Sequence, residues 1–246
     1  MKHFISSISV NSKMDRVRFQ NCSRCPQLDH PQESMKLING IMVPIMSTTK
    51  RDEKIQITLM INTLDTMNSK SRFFKDENRC FHEEWIVSEL TQRNYYYFIA
   101  ELHKLKKKIG FEYELTILPV PENENAETHF ELFRTLVREL QPKQTDEPEE
   151  LYADMTFGMK PISMILFMVF NYLYRFTNNA LPKLLIYVFR NHDTKEKSLF
   201  ELSHLFHMNA MFEHMTGLNV KDPLEYVERL LGMQEEGVLH ETRPES

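Results

Sequence analysis

Leu151-Tyr-Ala-Asp-Met-Thr-Phe-Gly-Met-Lys-Pro-Ile-Ser163 is the stretch whose reading decides the fold. It starts apolar, turns polar, passes a glycine and then enters a strongly hydrophobic run. That order is the signature of a buried strand handing over to a buried helix. Asp154 and Thr156 then lie at the carboxyl end of the strand. Gly158 permits a tight turn or a close backbone approach, and Pro161 suits a first helical turn. Residues 160–163 occupy that turn, whose free N–H groups attract anions.

Working outward, strand-like and helix-like segments alternate. Residues 2–9 read as a first strand, followed by a polar stretch through Asn11, Ser12 and Lys13. Residues 21–34 carry two prolines and many polar groups and read as a loop. Residues 35–46 are apolar enough for a strand or hairpin, and residues 54–61 form a strand ending at Asn62 and Thr63. Residues 83–108 read as one long helix or two, with Trp85, Leu90, Tyr97, Leu102 and Leu105 among the apolar positions and Gly110 marking the end. Residues 113–120 are the next strand. The stretch 126–140 is an amphipathic helix with Phe130, Phe133, Val137 and Leu140 on one face. The acidic segment 141–150 reads as a solvated linker. Beyond the deciding stretch come a buried helix at 161–176, a nearly continuous apolar strand at 184–189 and a helix at 198–212.

Uninterrupted apolar strands alternating with helices indicate an α/β fold: a Rossmann-like, mainly parallel sheet with helices on both faces. Residues 1–212 make that domain, and 213–246 a short helical C-terminal extension with a helix at 223–233. In such sheets ligands bind beyond the carboxyl ends of the strands, where strand order reverses. Residues 9–12, Asn62 with Thr63, 154–160 and 190–193 therefore share one rim.

The bulk properties narrow the function. A chain of 246 residues, 41% hydrophobic with 17 Phe and 15 Met, can bury one large core or a core plus a small appendage. A net charge of −5 argues against broad binding to duplex DNA. The longest apolar stretch, residues 162–176, is interrupted by Asn171 and Arg175 and falls short of the roughly 20 residues needed to cross a bilayer. No export signal is read, so a cytoplasmic protein is expected. Only six glycines occur, with neither a Gly-x-Gly-x-x-Gly nor a Walker loop, which disfavours nicotinamide and P-loop enzymes. Cys22, Cys25, Cys80 and His82 supply four donor side chains, although one residue between Cys80 and His82 is not the usual zinc spacing. His204, His207 and His214 with Glu201 have a spacing that holds metals, set among the apolar Phe200, Leu205 and Phe206 of a packed helix. No metal and no cofactor is expected.

The segment Asp154-Met-Thr-Phe-Gly-Met-Lys160 resembles the Asp-x-Thr-x-Gly motif of CARF domains, the CRISPR-associated Rossmann-like sensors. Phe157 stands where the commonest version has His. The resemblance extends to the serine-rich loop after the first strand, the Asn-Thr strand end, the helix after Pro119-Val-Pro121 and the strand at 184–190. It implies a homodimer that binds a cyclic oligoadenylate across its two-fold axis, a messenger of type III CRISPR antiviral defence. Ser9, Asn11, Ser12, Asn62, Thr63, Asp154, Thr156, Gly158, Met159 and Lys160 are the ligand-binding candidates. Lys160 opposes the macrodipole at its helix start unless an anion is near, which raises it above the rest.

The same family contains metal-independent ring nucleases, in which a ribose 2′-hydroxyl attacks its adjacent phosphate and leaves a 2′,3′-cyclic phosphate. Lys160 would then be the catalytic, charge-stabilising residue. Sensing and cleavage call on the same residues. The Arg-to-His spacing of a HEPN ribonuclease occurs only at Arg24 and His30, outside any helical pattern, and the segment after Phe212 is too short for a nuclease. The expectation from another class is an interaction module without a nucleotide ligand, docking a partner effector through a Phe- and Met-rich surface.

Overall fold

The computed structural model describes residues 1–8, 19–21, 37, 39–123, 125–141, 148–156, 160–177, 180–190, 197–217 and 227, with the backbone alone at 19–21, 160, 190, 214 and 216. The chain divides into two compact units, Met1–Ser203 and His204–Ser246. In chain order the elements are β1 (Lys2–Ser7), β2 (Phe19–Asn21), α1 (Met42–Thr48), β3 (Lys54–Thr63), β4 (Ser71–Lys75), β5 (Phe81–Ser88), α2 (Glu89–Ile109), β6 (Glu112–Pro121), α3 (Ala126–Leu140), β7 (Glu149–Asp154), α4 (Lys160–Phe176), β8 (Ala180–Arg190), β9 (Lys197–Glu201) and α5 (Ser203–Gly217). Of the second unit, the part of α5 beyond Ser203 is the element described.

The main sheet has seven strands in the order β2-β9-β8-β7-β1-β3-β6. Every neighbouring pair is parallel except β8 with β9. The chain steps from β1 to β3 and β6 on one side, then returns to β7 and β8 on the other. Right-handed crossovers consequently put α1 and α2 on one face and α3 and α4 on the opposite face. In agreement, α1 packs on α2 and α3 on α4. This is the expected Rossmann-like architecture, and strand order reverses between β1 and β7.

Side-chain alternation divides the strands between two cores. Phe4, Ile57, Leu59, Tyr152, Leu184 and Ile186 join Met42, Val43, Tyr95, Phe98 and Leu102 in one buried cluster. Ile5, Met60, Leu151 and Ala153 alternate to the other side, where Leu136 of α3 and Leu166, Val169 and Phe170 of α4 are also buried. Two helix ends follow sequence rules closely. Ser88 caps α2 by accepting from the Thr91 amide at 3.0 Å, and Gly110 closes it with a left-handed φ of 88°.

Several local expectations are corrected. The apolar run 35–46 is neither strand nor hairpin at its end but the entry to helix α1, with Met42, Val43, Pro44 and Ile45 buried. A short, continuously apolar run has no period that separates strand from helix, and a proline in a first turn costs no hydrogen bond. The long helix expected at 83–108 starts at Glu89; Trp85 belongs to β5, antiparallel to β4 in a separate two-stranded sheet. The linker expected at 141–150 ends in β7, where Glu149 is buried. The helix expected at 198–212 begins at Ser203, after the strand β9. On α3 the buried residues are Leu132, Leu136 and Leu140, whereas Phe130 is exposed. The helix expected at 223–233 lies outside the described residues apart from Val227, which is helical.

Candidate functional site

Strand order reverses between β1 and β7, so the crevice that this topology creates lies beyond Ser7 and Asp154. At its floor Asp154 Oδ1 accepts from the Thr156 amide at 2.9 Å, a one-turn closure of the chain as it leaves β7. The Thr156 hydroxyl oxygen accepts from the Val188 amide at 2.7 Å and ties that turn to β8. Ser163, in the first turns of α4, donates to the Met155 carbonyl at 2.9 Å. The turn is thus pinned on both sides.

A second segment meets it from across the sheet. Asn39 Oδ1 accepts from the Ile41 amide at 2.9 Å and from the Ser6 hydroxyl at 3.3 Å, which fixes the turn that enters α1. Between them sits Gly40. A Cβ built on Gly40 falls 2.7 Å from Val188 Cγ2 and 2.9 Å from Asp154 Oδ2, so no other residue fits without displacement. Ser6, Asn39 and Asp154 are all buried.

Among the described residues, two polar atoms of this cluster have no hydrogen-bond partner, Asp154 Oδ2 and Asn39 Nδ2. Burial pushes the Asp154 carboxyl from its ordinary 3.8 up to about 6. The Thr156 hydroxyl, the amides of Thr156 and Ile41 and the charge of Lys197 all pull the other way and are outweighed.

Of the residues expected at the rim, Asp154 and Thr156 converge here, as the turn and its brace. Asn62 and Thr63 are the last two residues of β3, at the same edge of the sheet but one strand beyond the reversal, with β1 between. Lys160 is the first residue of α4, a helix with no acidic residue in its first turn; its side chain is not described. Ser9, Asn11, Ser12, Gly158 and Met159 lie outside the described residues, as do 191–193. Ser6, Asn39 and Gly40 were missed. The Asn-Gly pair is a turn signal in its own right, but it sits inside an apolar run read as a strand.

The cysteine and histidine groupings do not converge among the described residues, which hold no cluster fit to ligate a metal. Cys80 is exposed, His82 stacks on Trp85 with ring centroids 4.4 Å apart, and Cys22 and Cys25 lie outside the described residues, as does Arg24 with His30. A groove of about 440 Å³ between the β4–β5 hairpin and α2 is lined by Arg72, Phe73, Phe81 and Tyr96 among others. Its polar groups are engaged: Arg72 pairs with Glu89, Lys75 lies over the Phe81 ring, and the Gln92 amide holds the Lys75 backbone through two bonds of 2.8 Å.

No known family profile matches the chain, and no curated protein matches it in sequence. Among the described residues no helix is long and apolar enough to cross a membrane.

Proposed function

We propose that the chain binds a cyclic oligoadenylate at the interface of a homodimer, as a cytoplasmic sensor of type III CRISPR antiviral defence. The observation that carries the reading is the coincidence of the CARF-like motif, Asp154-Met-Thr-Phe-Gly-Met-Lys160, with the point where strand order reverses. A doubly wound sheet characteristically offers its ligand site there. The start of α4, free of acidic side chains, favours phosphate at the same rim.

A second feature supports the dimer. Met164, Met168, Tyr172 and Phe176 are spaced four apart along α4 and are 69%, 58%, 39% and 72% exposed. Such a stripe calls for a cover. Because α4 starts at the crevice, a second copy seated on this stripe brings two crevices together, which a ring with rotational symmetry requires. The stripe equally fits the alternative, an interaction module that docks a partner effector and binds no nucleotide.

Incubating the protein with cyclic tri-, tetra- and hexa-adenylate, with binding and products followed by chromatography, separates these readings. Binding with an intact ring makes it a sensor. Linear products that vanish in Lys160→Ala make it a ring nuclease. No binding to any ring removes both. Analytical ultracentrifugation of Met164→Glu/Met168→Glu reports whether the stripe joins two copies: a dimer in the wild type and a monomer in the variant is the expected result.

A further inference from the structure

Buried polar atoms nearly always find a partner, because desolvating one without compensation is costly. At the crevice two find none among the described residues. Asp154 Oδ2 and Asn39 Nδ2 are both unpartnered there, at the turn where Gly40 leaves no space for a Cβ against Asp154. The other carboxyl oxygen is already committed to the Thr156 amide. A carboxylate sealed this way also conflicts with an anion bound just above it, since each charge disfavours the other.

We propose that Asp154 is a proton-carrying floor of the crevice: held under the Asn39–Gly40 turn, it takes up a proton when an anionic ligand binds, so that occupancy is coupled to pH. The proposal rests on the reading of the crevice as a phosphate site. Among the described residues, the other polar groups close to Asp154 do not titrate. They are the Thr156 hydroxyl and amide and the Ile41 amide, with the Gly40 backbone alongside. From β8 comes the aliphatic Val188. Among the described residues Lys197 of β9 is the charged group that acts on it.

The sign follows from linkage. Without a neighbouring anion, burial holds the Asp154 carboxyl up at about 6. A nearby phosphate raises that value further, so binding takes up a proton over the interval between the two. Affinity is full below the lower value and falls as pH rises through the upper one. A rise of about one pH unit on binding corresponds to about a tenfold change in affinity. The internal phosphodiesters of the ring stay ionised throughout, so the ligand itself contributes no such dependence.

The test is isothermal calorimetry of wild type and Asp154→Asn with a cyclic oligoadenylate at pH 5.5, 6.5 and 8, in buffers of differing ionisation enthalpy. Expected in the wild type are an affinity about tenfold weaker at pH 8 than at pH 5.5 and proton uptake greatest at pH 6.5, and neither effect in the variant. Equal affinities in both proteins at both pH values overturn the coupling and leave the messenger reading standing. Failure of the wild type to bind any ring at any pH overturns the messenger reading and this proposal with it. The apo proteins supply an independent check. If their difference in unfolding midpoint does not change between pH 4 and pH 7, the buried proton is excluded whatever the ring does.

Discussion

At the amino end of β1 the His3 ring lies between Glu149 Oε1 at 3.0 Å and Thr58 Oγ1 at 2.7 Å, and each of its nitrogens has a partner. At the carboxyl end of the same strand Ser6 faces a cluster in which Asp154 and Asn39 each keep one polar atom unpaired among the described residues. Both groups are buried. They occupy opposite faces of the sheet, because Asp154 alternates with Tyr152 into the α1–α2 core while His3, Thr58 and Glu149 point the other way. The first is closed and complete, so its burial is tolerated and its bonds fix the register of β1, β3 and β7. The second sits at the carboxyl ends of β1 and β7, where strand order reverses.

The largest expected effect breaks the closed cluster. Glu149→Ala removes the acceptor opposite a buried His3 and should cost ~4 kcal/mol in urea unfolding, with ring binding by the folded fraction retained. A cost under ~1 kcal/mol would mean that the two clusters are not energetically distinct.

Asp154→Asn should act in the opposite direction. An acid whose folded value lies above its unfolded one loses stability as pH rises through the interval from 3.8 to about 6. Above it the penalty is complete, roughly 3 kcal/mol at about 1.4 kcal/mol per pH unit. The variant should therefore be more stable than wild type at pH 7 and nearly equal to it below pH 4, as read from thermal midpoints. Equal destabilisation at both pH values would make Asp154 an ordinary structural acceptor.

Gly40→Ala inserts a methyl against Val188 and Asp154 and should cost about 2 kcal/mol by overpacking, together with a loss of ring binding. Thr156→Val, which keeps the volume but deprives the Val188 amide of its acceptor, should cost about 1 kcal/mol. If it leaves both stability and binding untouched, the tie between β7 and β8 is dispensable.

Much of this was legible in the chain. Strands β1, β3, β6, β7 and β8 each carry a stretch rich in apolar residues, and α3 and α4 emerge within a residue of their observed bounds, because buried parallel strands and amphipathic helices write their hydrophobic order into the sequence. The β4–β5 hairpin did not emerge. Its residues alternate irregularly, with Phe73 and Phe81 exposed and a register shift between Phe73 and Phe74, so no period of two marks it. Phe130 misled for a related reason: hydrophobicity names a face only when that face is the covered one.

By itself the sequence determined the fold class and the strand that carries Asp154 near its carboxyl end, because these depend on local hydrophobic order. Tertiary structure alone decided that Ser6 meets Asn39 and Gly40 meets Asp154, that Glu149 meets His3 across an interval of 146 residues, and which carboxyl oxygen is left unpaired among the described residues. Such pairings are set by strand order and register, which join distant parts of the chain, and no local pattern records them.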